Sequence, residues 1–254
     1  MRIAVCVKQI PDPAAPYALD PETHFVVRPE DQVLDDTDRY GVEVGLQLAE
    51  AAGEDATVTL ISMSPSGSLQ GIRQALAMGA DGVVIVDDET LRGADTLTTA
   101  RVLAAAMQRQ EFDVVIAGTE STDGYTGVVP QQISELLGVP ALTFARKVEA
   151  TDNGIRIERQ THGGYDVVEA DTPVLLSVTA GVVEPRYPTF KGIMQAKQKP
   201  VETLTCGDLG ITPEVLQTIK DVEPVPSRQA GEIHEDDGDG HLRIIAMLEQ
   251  VKVL

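Results

Sequence analysis

The amino-acid sequence predicts an α/β fold, with a mostly parallel sheet covered by helices on both faces. Three observations lead to this prediction. Short apolar segments alternate with segments of helical periodicity through the first half of the 254-residue chain. The apolar segments are hydrophobic on both faces, as strands between two helical layers must be. Hydrophobic residues make up 43% of the chain, enough for one large domain or two small ones.

The first half contains four predicted strands, each followed by a predicted helix. The strands cover residues 2–10, 57–63, 82–86 and 114–117. Asp36 or Asp38 is expected to cap the first helix, and apolar side chains follow at a spacing of four. The other three cover about 69–78, 95–108 and 128–137. Gly53, Gly79 and Gly138 end three of these helices, because glycine readily takes the backbone conformation of a helix terminus.

The second half predicts an antiparallel extension of this sheet. Residues 141–150 and 154–160 flank the turn sequence TDNG, and 165–169 and 174–178 are also extended. The stretch EPRYPTFKGIMQAKQKP is basic and rich in proline, in a chain of net charge −20. Beyond Cys206 the periodicity is weak and the run HEDDGDGH is acidic. We therefore predict one domain over residues 1–205 and a C-terminal arm over 206–254.

Composition argues against several functions and locations. The net charge of −20 argues against nucleic acid and against an anionic membrane surface as partners. No apolar run is long enough to span a membrane, and the first residues do not resemble a signal peptide. The two cysteines, Cys6 and Cys206, are too far apart in sequence for a CxxC motif. They argue against a disulfide scaffold and favour the reducing cytoplasm.

No catalytic or metal-binding motif occurs in the sequence. The chain lacks GxxxxGK[ST], a GxGxxG after the first strand, and GxSxG. Its four histidines lack metal-ligand spacing, and DDGDG lacks the closing ligands of a calcium loop. We therefore predict no metal site, and a binding or carrier subunit rather than a hydrolase.

The ends of three predicted strands carry features suited to a ligand. VKQIPDP follows the first strand, MSPSGS the second and GTESTDGYTG the fourth. Ligands of open parallel sheets bind beyond the carboxyl ends of the strands, where the strand order reverses. Small residues allow close approach, and free N–H groups at a helix start attract phosphate. The pattern is compatible with a nucleotide pocket and equally with ordinary strand-to-helix turns.

Four stretches of the sequence resemble the β subunit of electron-transfer flavoproteins. They are MRIAVCVKQIPDP, SLQGIRQALAMGADGVVIVDD, GTESTDGYTGVVPQQISELLGVP and TPVLLSVTAGVVEPRYPTFKGIMQAKQKPVETL. The resemblance covers nearly the whole chain and weakens toward the C terminus. It implies a Rossmann-like fold of the adenine-nucleotide α-hydrolase-like type. It also implies a heterodimer with an α subunit that carries a redox-active FAD.

The resemblance implies an electron carrier in the bacterial cytoplasm rather than an independent catalyst. Such a complex accepts electrons from acyl-CoA dehydrogenases or related flavoenzymes, as in fatty acid β-oxidation. It passes them to a membrane quinone oxidoreductase. The arm over residues 206–254 would pack on the α subunit, and this subunit would hold a structural AMP.

The resemblance also implies three groups of site residues. The AMP pocket would comprise Cys6, Asp35, Asp36, Asp38, Met63, Gly118, Ser121, Thr122, Asp123, Gly124, Tyr125, Thr126 and Gly127. A recognition segment, residues 178–200, would dock the dehydrogenase through Arg186, Tyr187, Phe190, Lys191, Ile193, Met194 and Lys197. Gln160, His162 and Tyr165 would lie near the α-subunit flavin. Alternatively, Cys6 and Met63 are core residues and Phe190 packs under its own loop.

Two departures from the family pattern leave the pocket ligand open. First, the loop 118–127 is shorter than usual and has Gly124 and Tyr125 where polar amides are common. Second, the segment 160–166 lacks carboxylates on one side of its glycines. In one branch of the family the β subunit binds a second FAD, which NADH reduces. AMP, FAD and an empty pocket therefore remain alternatives. A nucleotide-sensing α/β module is a further alternative, but it would need a late glycine-rich phosphate motif and would not need EPRYPTFKG.

Overall fold

The computed structural model describes residues 1–64, 69–214, 216–223, 225, 231 and 233–253. The chain forms two compact units, Met1–Ile219 and Lys220–Leu254. The strands are β1 (Arg2–Cys6), β2 (Gln9–Ile10), β3 (Val33–Leu34), β4 (Thr57–Met63), β5 (Gly82–Val86), β6 (Val114–Gly118), β7 (Ala141–Ala150), β8 (Gly154–Thr161), β9 (Gly164–Asp171), β10 (Val174–Val178) and β11 (Val201–Leu204). The α-helices are α1 (Asp36–Ala52), α2 (Gln70–Met78), α3 (Thr96–Gln108), α4 (Val129–Leu137), α5 (Phe190–Ala196) and α6 (Gly240–Gln250).

The first unit is built on a nine-stranded mixed sheet in the order β11-β5-β4-β1-β6-β10-β7-β8-β9. The strands from β11 to β7 run parallel, whereas β8 and β9 are antiparallel to their neighbours. The predicted mostly parallel α/β sheet with an antiparallel extension is confirmed. One strand differs, because β10 was expected in the extension and lies instead in parallel between β6 and β7. All five of its residues are buried, which is typical of a strand covered on both faces.

Helices cover the sheet on both faces, as predicted. Successive residues of a strand point to opposite faces, so Ile3 and Val5 join one core layer and Ala4 the other. The first layer contains side chains of α1 and α2, including Val42 and Ile72. The second layer contains side chains of α3 and α4, with Met107 and Ile133 among them.

Several elements depart from the sequence prediction. The predicted strand 2–10 divides into β1 and β2, because residues 9–10 pair with β3 outside the main sheet. The N-cap of α1 is Asp35, whose side chain accepts a hydrogen bond from the Thr37 N–H, and not Asp36 or Asp38. The helices α5 and α6 and the edge strand β11 were not predicted. At seven residues, α5 is too short for periodicity to detect.

Residues just beyond the predicted domain boundary pack within the first unit. Cys206 is buried in the second core layer, and Leu209 and Ile211 pack against that layer. The Thr98 hydroxyl donates to the Glu214 carbonyl oxygen at 2.7 Å. The second unit contains α6, none of whose residues is buried. Packing of the arm on a partner subunit stays a prediction. None of the described helices has the length and apolar character needed to cross a membrane.

Candidate functional site

The strand order reverses between β1 and β6, and this is where the predicted pocket segments meet. From β1 the chain continues to β4 and β5 on one side, then crosses to β6 on the other. In open parallel sheets, ligands bind beyond the carboxyl ends of the strands at such a reversal. Cys6 ends β1 and Gly118 ends β6.

Asp35 ties the loop after β6 to the start of α1. Its carboxylate is fully buried and accepts hydrogen bonds from the Thr37 N–H and hydroxyl, at 3.1 and 2.9 Å. It also accepts the Thr122 N–H and hydroxyl, both at 2.6 Å. Because all four donors converge on one buried carboxylate, Thr122 is held firmly against the N-terminus of α1.

Asp38 lies one turn further along α1 and faces the end of β1. Its Oδ2 accepts the Lys8 backbone N–H at 2.6 Å. Burial, and next the negative charge of Asp35, raise the pKa of Asp38 well above its ordinary value. A Cβ atom at Gly118 would lie 3.1 Å from Oδ1 of Asp38, so a larger residue there would crowd this carboxyl group.

Three charged side chains from separate segments form a cation–carboxylate cluster: Lys8, Arg28 and Asp123. The Lys8 ammonium donates to Oδ1 of Asp123 at 2.6 Å and to the Ser121 hydroxyl at 3.3 Å. The Arg28 guanidinium donates to Oδ2 of Asp123 at 2.5 Å. Only 1% of the Asp123 side chain is exposed, against 38% for Lys8 and 30% for Arg28. Burial works against ionisation of Asp123, but the two cations outweigh it and lower its pKa.

The Tyr17 hydroxyl lies near this cluster. Its oxygen is buried and has no hydrogen-bond partner among the described residues. Burial is the main cause that raises the pKa of Tyr17, and the charges of Asp123 and Asp35 add to it. A buried hydroxyl without a partner is uncommon in folded proteins, and a bound ligand or water would satisfy it.

The rest of the loop 118–127 is more exposed. Its backbone turns back on itself, since the Gly124 and Tyr125 N–H groups donate to the Ser121 carbonyl oxygen. Tyr125 has a left-handed backbone (φ 50°), and 67% of its surface is exposed. Thr126 is also exposed, and Gly127 has a positive φ of 64°.

The recognition segment, residues 178–200, begins at the end of β10 and includes α5. Tyr187 and Phe190 are each 81% exposed, and Ile193 and Met194 are about half exposed. Lys191 and Lys197 are exposed beside them. The alternative that Phe190 packs under its own loop is wrong, since its side chain faces solvent.

The recognition segment approaches α2 closely at Lys199 and at Gly192. The Lys199 ammonium donates to the Leu76, Gly79 and Ala80 carbonyl oxygens, which lie at the C-terminal end of α2. At Gly192, a Cβ atom would collide with the Ala77 carbonyl oxygen, so only glycine fits this approach.

The residues predicted near a partner flavin lie at one end of the β8–β9 hairpin. Gln160 pairs with Tyr165 across the two strands, and His162 is in the turn. All three are exposed. The Arg146 guanidinium lies 5.2 Å from the centre of the Tyr165 ring, within the range of a cation–π contact.

The chain is similar to known proteins of one family. A family model described as electron transfer flavoprotein domain matches residues 23–209. The electron transfer flavoprotein subunit beta of Mycobacterium tuberculosis is 38% identical, over 99% of both chains. That of Thermoanaerobacterium thermosaccharolyticum is 37% identical, over 83% of this chain and 81% of the relative. A caffeyl-CoA reductase-Etf complex subunit, CarD of Acetobacterium woodii, is 31% identical over 92% and 91%.

The chain belongs to the electron transfer flavoprotein β-subunit family. Family membership agrees with the resemblance found in the sequence. Among the pocket residues expected from it, the structure brings together Asp35, Asp38, Ser121, Thr122 and Asp123.

Other expected pocket residues of this β subunit have different surroundings. Asp36 is exposed and pairs with Arg39 and not with a residue of the cluster. The Cys6 and Met63 side chains pack against the second core layer, and both residues are partly exposed. Burial raises the pKa of the Cys6 thiol to about 12, with Asp38 adding to the shift.

The helix start that follows MSPSGS was expected to offer free N–H groups to a phosphate, and the structure differs. Residues 65–68 lie outside the part of the chain that the structure describes. The N–H groups of Gly71 and Ile72, in the first turn of α2, donate to the Gln9 side-chain oxygen at 2.8 and 3.3 Å. The first turn of α2 is thus capped by the protein itself and does not offer these groups to phosphate.

Arg186 also departs from its expected role in this β subunit. Its guanidinium and backbone N–H bind Glu43 on α1, and a terminal nitrogen binds Glu50 at 2.6 Å. It therefore fastens the recognition segment to α1 and is less available to a partner than Lys191 or Lys197.

Lys8, Arg28 and Tyr17 were missed by the sequence analysis. Lys8 lies in VKQIPDP, a segment already marked as a strand end, so its cationic side chain was a usable signal. Arg28 and Tyr17 lie between β2 and β3 in a stretch without strong periodicity. Only the folded chain brings these two residues to the end of β6.

Proposed function

We propose that this β subunit holds AMP at the junction of β1 and β6 and forms a heterodimer with an α subunit that carries FAD. The observation that carries the nucleotide site is the cation–carboxylate cluster beside the unpartnered Tyr17 hydroxyl. Both lie where ligands of open parallel sheets bind. Electron transfer itself follows from family membership.

The residues around the junction are compatible with a nucleotide. Cationic groups and hydroxyls suit phosphate and ribose, and the exposed Gly124 lets a ligand approach the loop backbone. We propose that Cys6 and Met63 contribute through their backbones. The FAD of the α subunit would supply the redox chemistry, while this chain positions the complex and its partners.

The recognition segment is our proposed docking surface for acyl-CoA dehydrogenases or related flavoenzymes. Exposed aromatic and aliphatic side chains flanked by lysines suit a partner surface with an apolar pocket and an acidic rim. Phe190 would be the anchor, with Tyr187, Ile193 and Met194 around it. In a chain of net charge −20, the local basic character would also orient an acidic partner.

The other parts of the proposal concern the α subunit and the route of electrons. We propose that Gln160, His162 and Tyr165 lie near the α-subunit flavin and that the arm over residues 206–254 packs on the α subunit. Electrons would leave to a membrane quinone oxidoreductase. The two free cysteines support a site of action in the reducing cytoplasm.

Ligand identification tests the nucleotide proposal directly. The αβ complex is purified, its small molecules are released by acid, and FAD and AMP are measured per dimer. One FAD and one AMP are expected. One FAD with no second nucleotide would overturn the proposed site.

Two FAD per dimer would instead favour the branch of the family that uses NADH. The similarity to a subunit of a caffeyl-CoA reductase complex makes this the second candidate function. Reduction of the flavins by NADH would then separate the two candidates, because the AMP-binding form has no flavin in the β subunit.

A further inference from the structure

We propose that Lys8 and Arg28 bind the phosphate of the nucleotide and that Asp123 is the positioning residue that holds the two cations together. This inference rests on the proposed nucleotide site and assigns its phosphate-binding side chains.

The geometry joins three segments that are distant in sequence. Lys8 follows β1, Arg28 precedes β3 and Asp123 lies in the loop after β6. Each cation contacts a different oxygen of the Asp123 carboxylate. Two like charges repel each other, and the shared carboxylate offsets this repulsion.

The remaining charge of the cluster favours an anion. Two cations face one carboxylate, which leaves one positive charge without compensation inside the cluster. Asp35 does not contribute a bond to either cation, since its described donors are Thr37 and Thr122. Asp38 accepts the backbone N–H of Lys8 and not its ammonium group.

Exposure places the cations on the side of the cluster that a ligand can reach. Asp123 is nearly inaccessible, whereas about a third of each cationic side chain meets solvent. An anion approaching from solvent therefore meets Lys8 and Arg28 before it meets the carboxylate.

The available donors suit phosphate. An ammonium group carries three protons, and Lys8 directs two bonds to Asp123 and Ser121. The buried Tyr17 hydroxyl offers another donor. Several charge-assisted donors around one group match the oxygens of a phosphate.

Competition between AMP and adenosine isolates the phosphate contribution. Radiolabelled AMP is exchanged into the purified αβ complex and displaced by unlabelled AMP or adenosine. We expect Lys8→Met and Arg28→Gln each to weaken AMP binding by about tenfold or more, as for lost charge-assisted hydrogen bonds. Adenosine binding should stay within about twofold, because adenosine lacks the phosphate. Lys8→Arg keeps the charge and should recover much of the AMP affinity.

Asp123→Asn tests the positioning role. The amide cannot hold two cations together, so AMP binding should weaken while adenosine binding is retained. Tighter AMP binding would instead mean that Asp123 competes with the phosphate, which overturns its assignment. Arg109→Gln is the matched control, because it removes a cation from the exposed Arg109–Glu202 pair elsewhere in the protein.

The remaining outcomes separate this inference from the proposed function. Equal weakening of AMP and adenosine, or no weakening of either, would overturn the phosphate assignment and leave the nucleotide site in place. A wild-type complex that bound neither compound and released two FAD per dimer would overturn the assignment of an AMP phosphate site and favour the second candidate function. Exchange of no nucleotide at all by the wild type would overturn both proposals.

Discussion

Arg186 and Glu43 form a two-point ion pair that fastens the recognition segment to α1. The Nε of Arg186 donates to Oε2 of Glu43 at 2.8 Å, and a terminal nitrogen donates to Oε1 at 3.0 Å. The Arg186 backbone N–H reaches the same carboxylate at 3.0 Å. Only 4% of the Glu43 side chain is exposed. Since the exposed Tyr187 follows directly, this pair fixes the backbone next to it.

Loss of the Glu43 charge should destabilise the protein. Glu43→Gln is expected to lower the free energy of unfolding by about 1–2 kcal/mol, because it weakens a pair whose carboxylate is buried. The expected loss of unfolding free energy is small for a buried carboxylate because the Arg186 side chain is 35% exposed and partly screened by water. Thermal unfolding of the purified complex measures it. Glu202→Gln, in the exposed Arg109–Glu202 pair, is the control and should change stability by less than about 0.5 kcal/mol.

The Arg186–Glu43 pair predicts that the stability of the protein depends on pH. Burial alone would raise the pKa of Glu43, but the hydrogen bonds from Arg186 and Gln47 outweigh it, and its pKa lies below the ordinary 4.5. A lowered folded-state pKa gives stability that is present above 4.5 and is lost as the pH falls through the folded-state value. The Tm difference between wild type and Glu43→Gln should therefore shrink on acidification from about pH 6 to about pH 3. A constant difference would contradict this assignment.

The raised pKa of Asp38 predicts a dependence of stability on pH opposite to that of Glu43. Burial and the charge of Asp35 raise its folded-state pKa well above the ordinary 3.8. Its contribution to stability is then present at or below 3.8 and is lost as the pH rises through the folded-state pKa. Asp38→Asn keeps an acceptor for the Lys8 N–H and cannot ionise. Its Tm relative to wild type should increase between about pH 5 and about pH 8.

Asp36→Asn controls for the Asp38 experiment. It makes the same change of charge two residues earlier on α1, where the side chain is 78% exposed. A pH-dependent gain as large in Asp36→Asn as in Asp38→Asn would show that burial of Asp38 is not the cause.

Phe190 is the proposed docking anchor, and its removal tests that role. Phe190→Ala should lower kcat/KM for electron transfer from the dehydrogenase by about tenfold or more, as expected for an interface hot spot. Its Tm should change little, because the side chain is 81% exposed. Leu136→Ala serves as a control on α4, which covers the opposite face of the sheet from α5. Equal rates for all three proteins would place the docking surface elsewhere.

A substitution at Gly192 tests how closely α5 must approach α2. In Gly192→Ala the new methyl group would meet the Ala77 carbonyl oxygen, so α5 must shift. A loss of about 1–3 kcal/mol is expected, as for other overpacked sites. Gly163→Ala is the control, since nothing lies near its Cβ position, and should be nearly neutral. Unchanged stability in Gly192→Ala would mean that the two helices separate without loss.

Local sequence patterns predicted most of the regular elements. The bounds of β4, β5, β7 and β10 agree with the predicted strands, and Gly79 and Gly138 follow the ends of α2 and α4. These features depend on neighbouring residues, through the alternation of apolar side chains and the backbone freedom of glycine. Elements too short for periodicity, such as α5, were missed for the same reason.

By itself the sequence determined the α/β class, the family resemblance and the loops that border the candidate site. Only the tertiary structure decided that β10 lies inside the parallel sheet, that Arg186 binds Glu43, and that Asp36 is exposed and pairs with Arg39. It also brought Lys8 to Asp123, a residue 115 positions later. Pairings over such separations depend on the order of strands and on which side chains are buried together. Neither is encoded in the periodicity of a single segment.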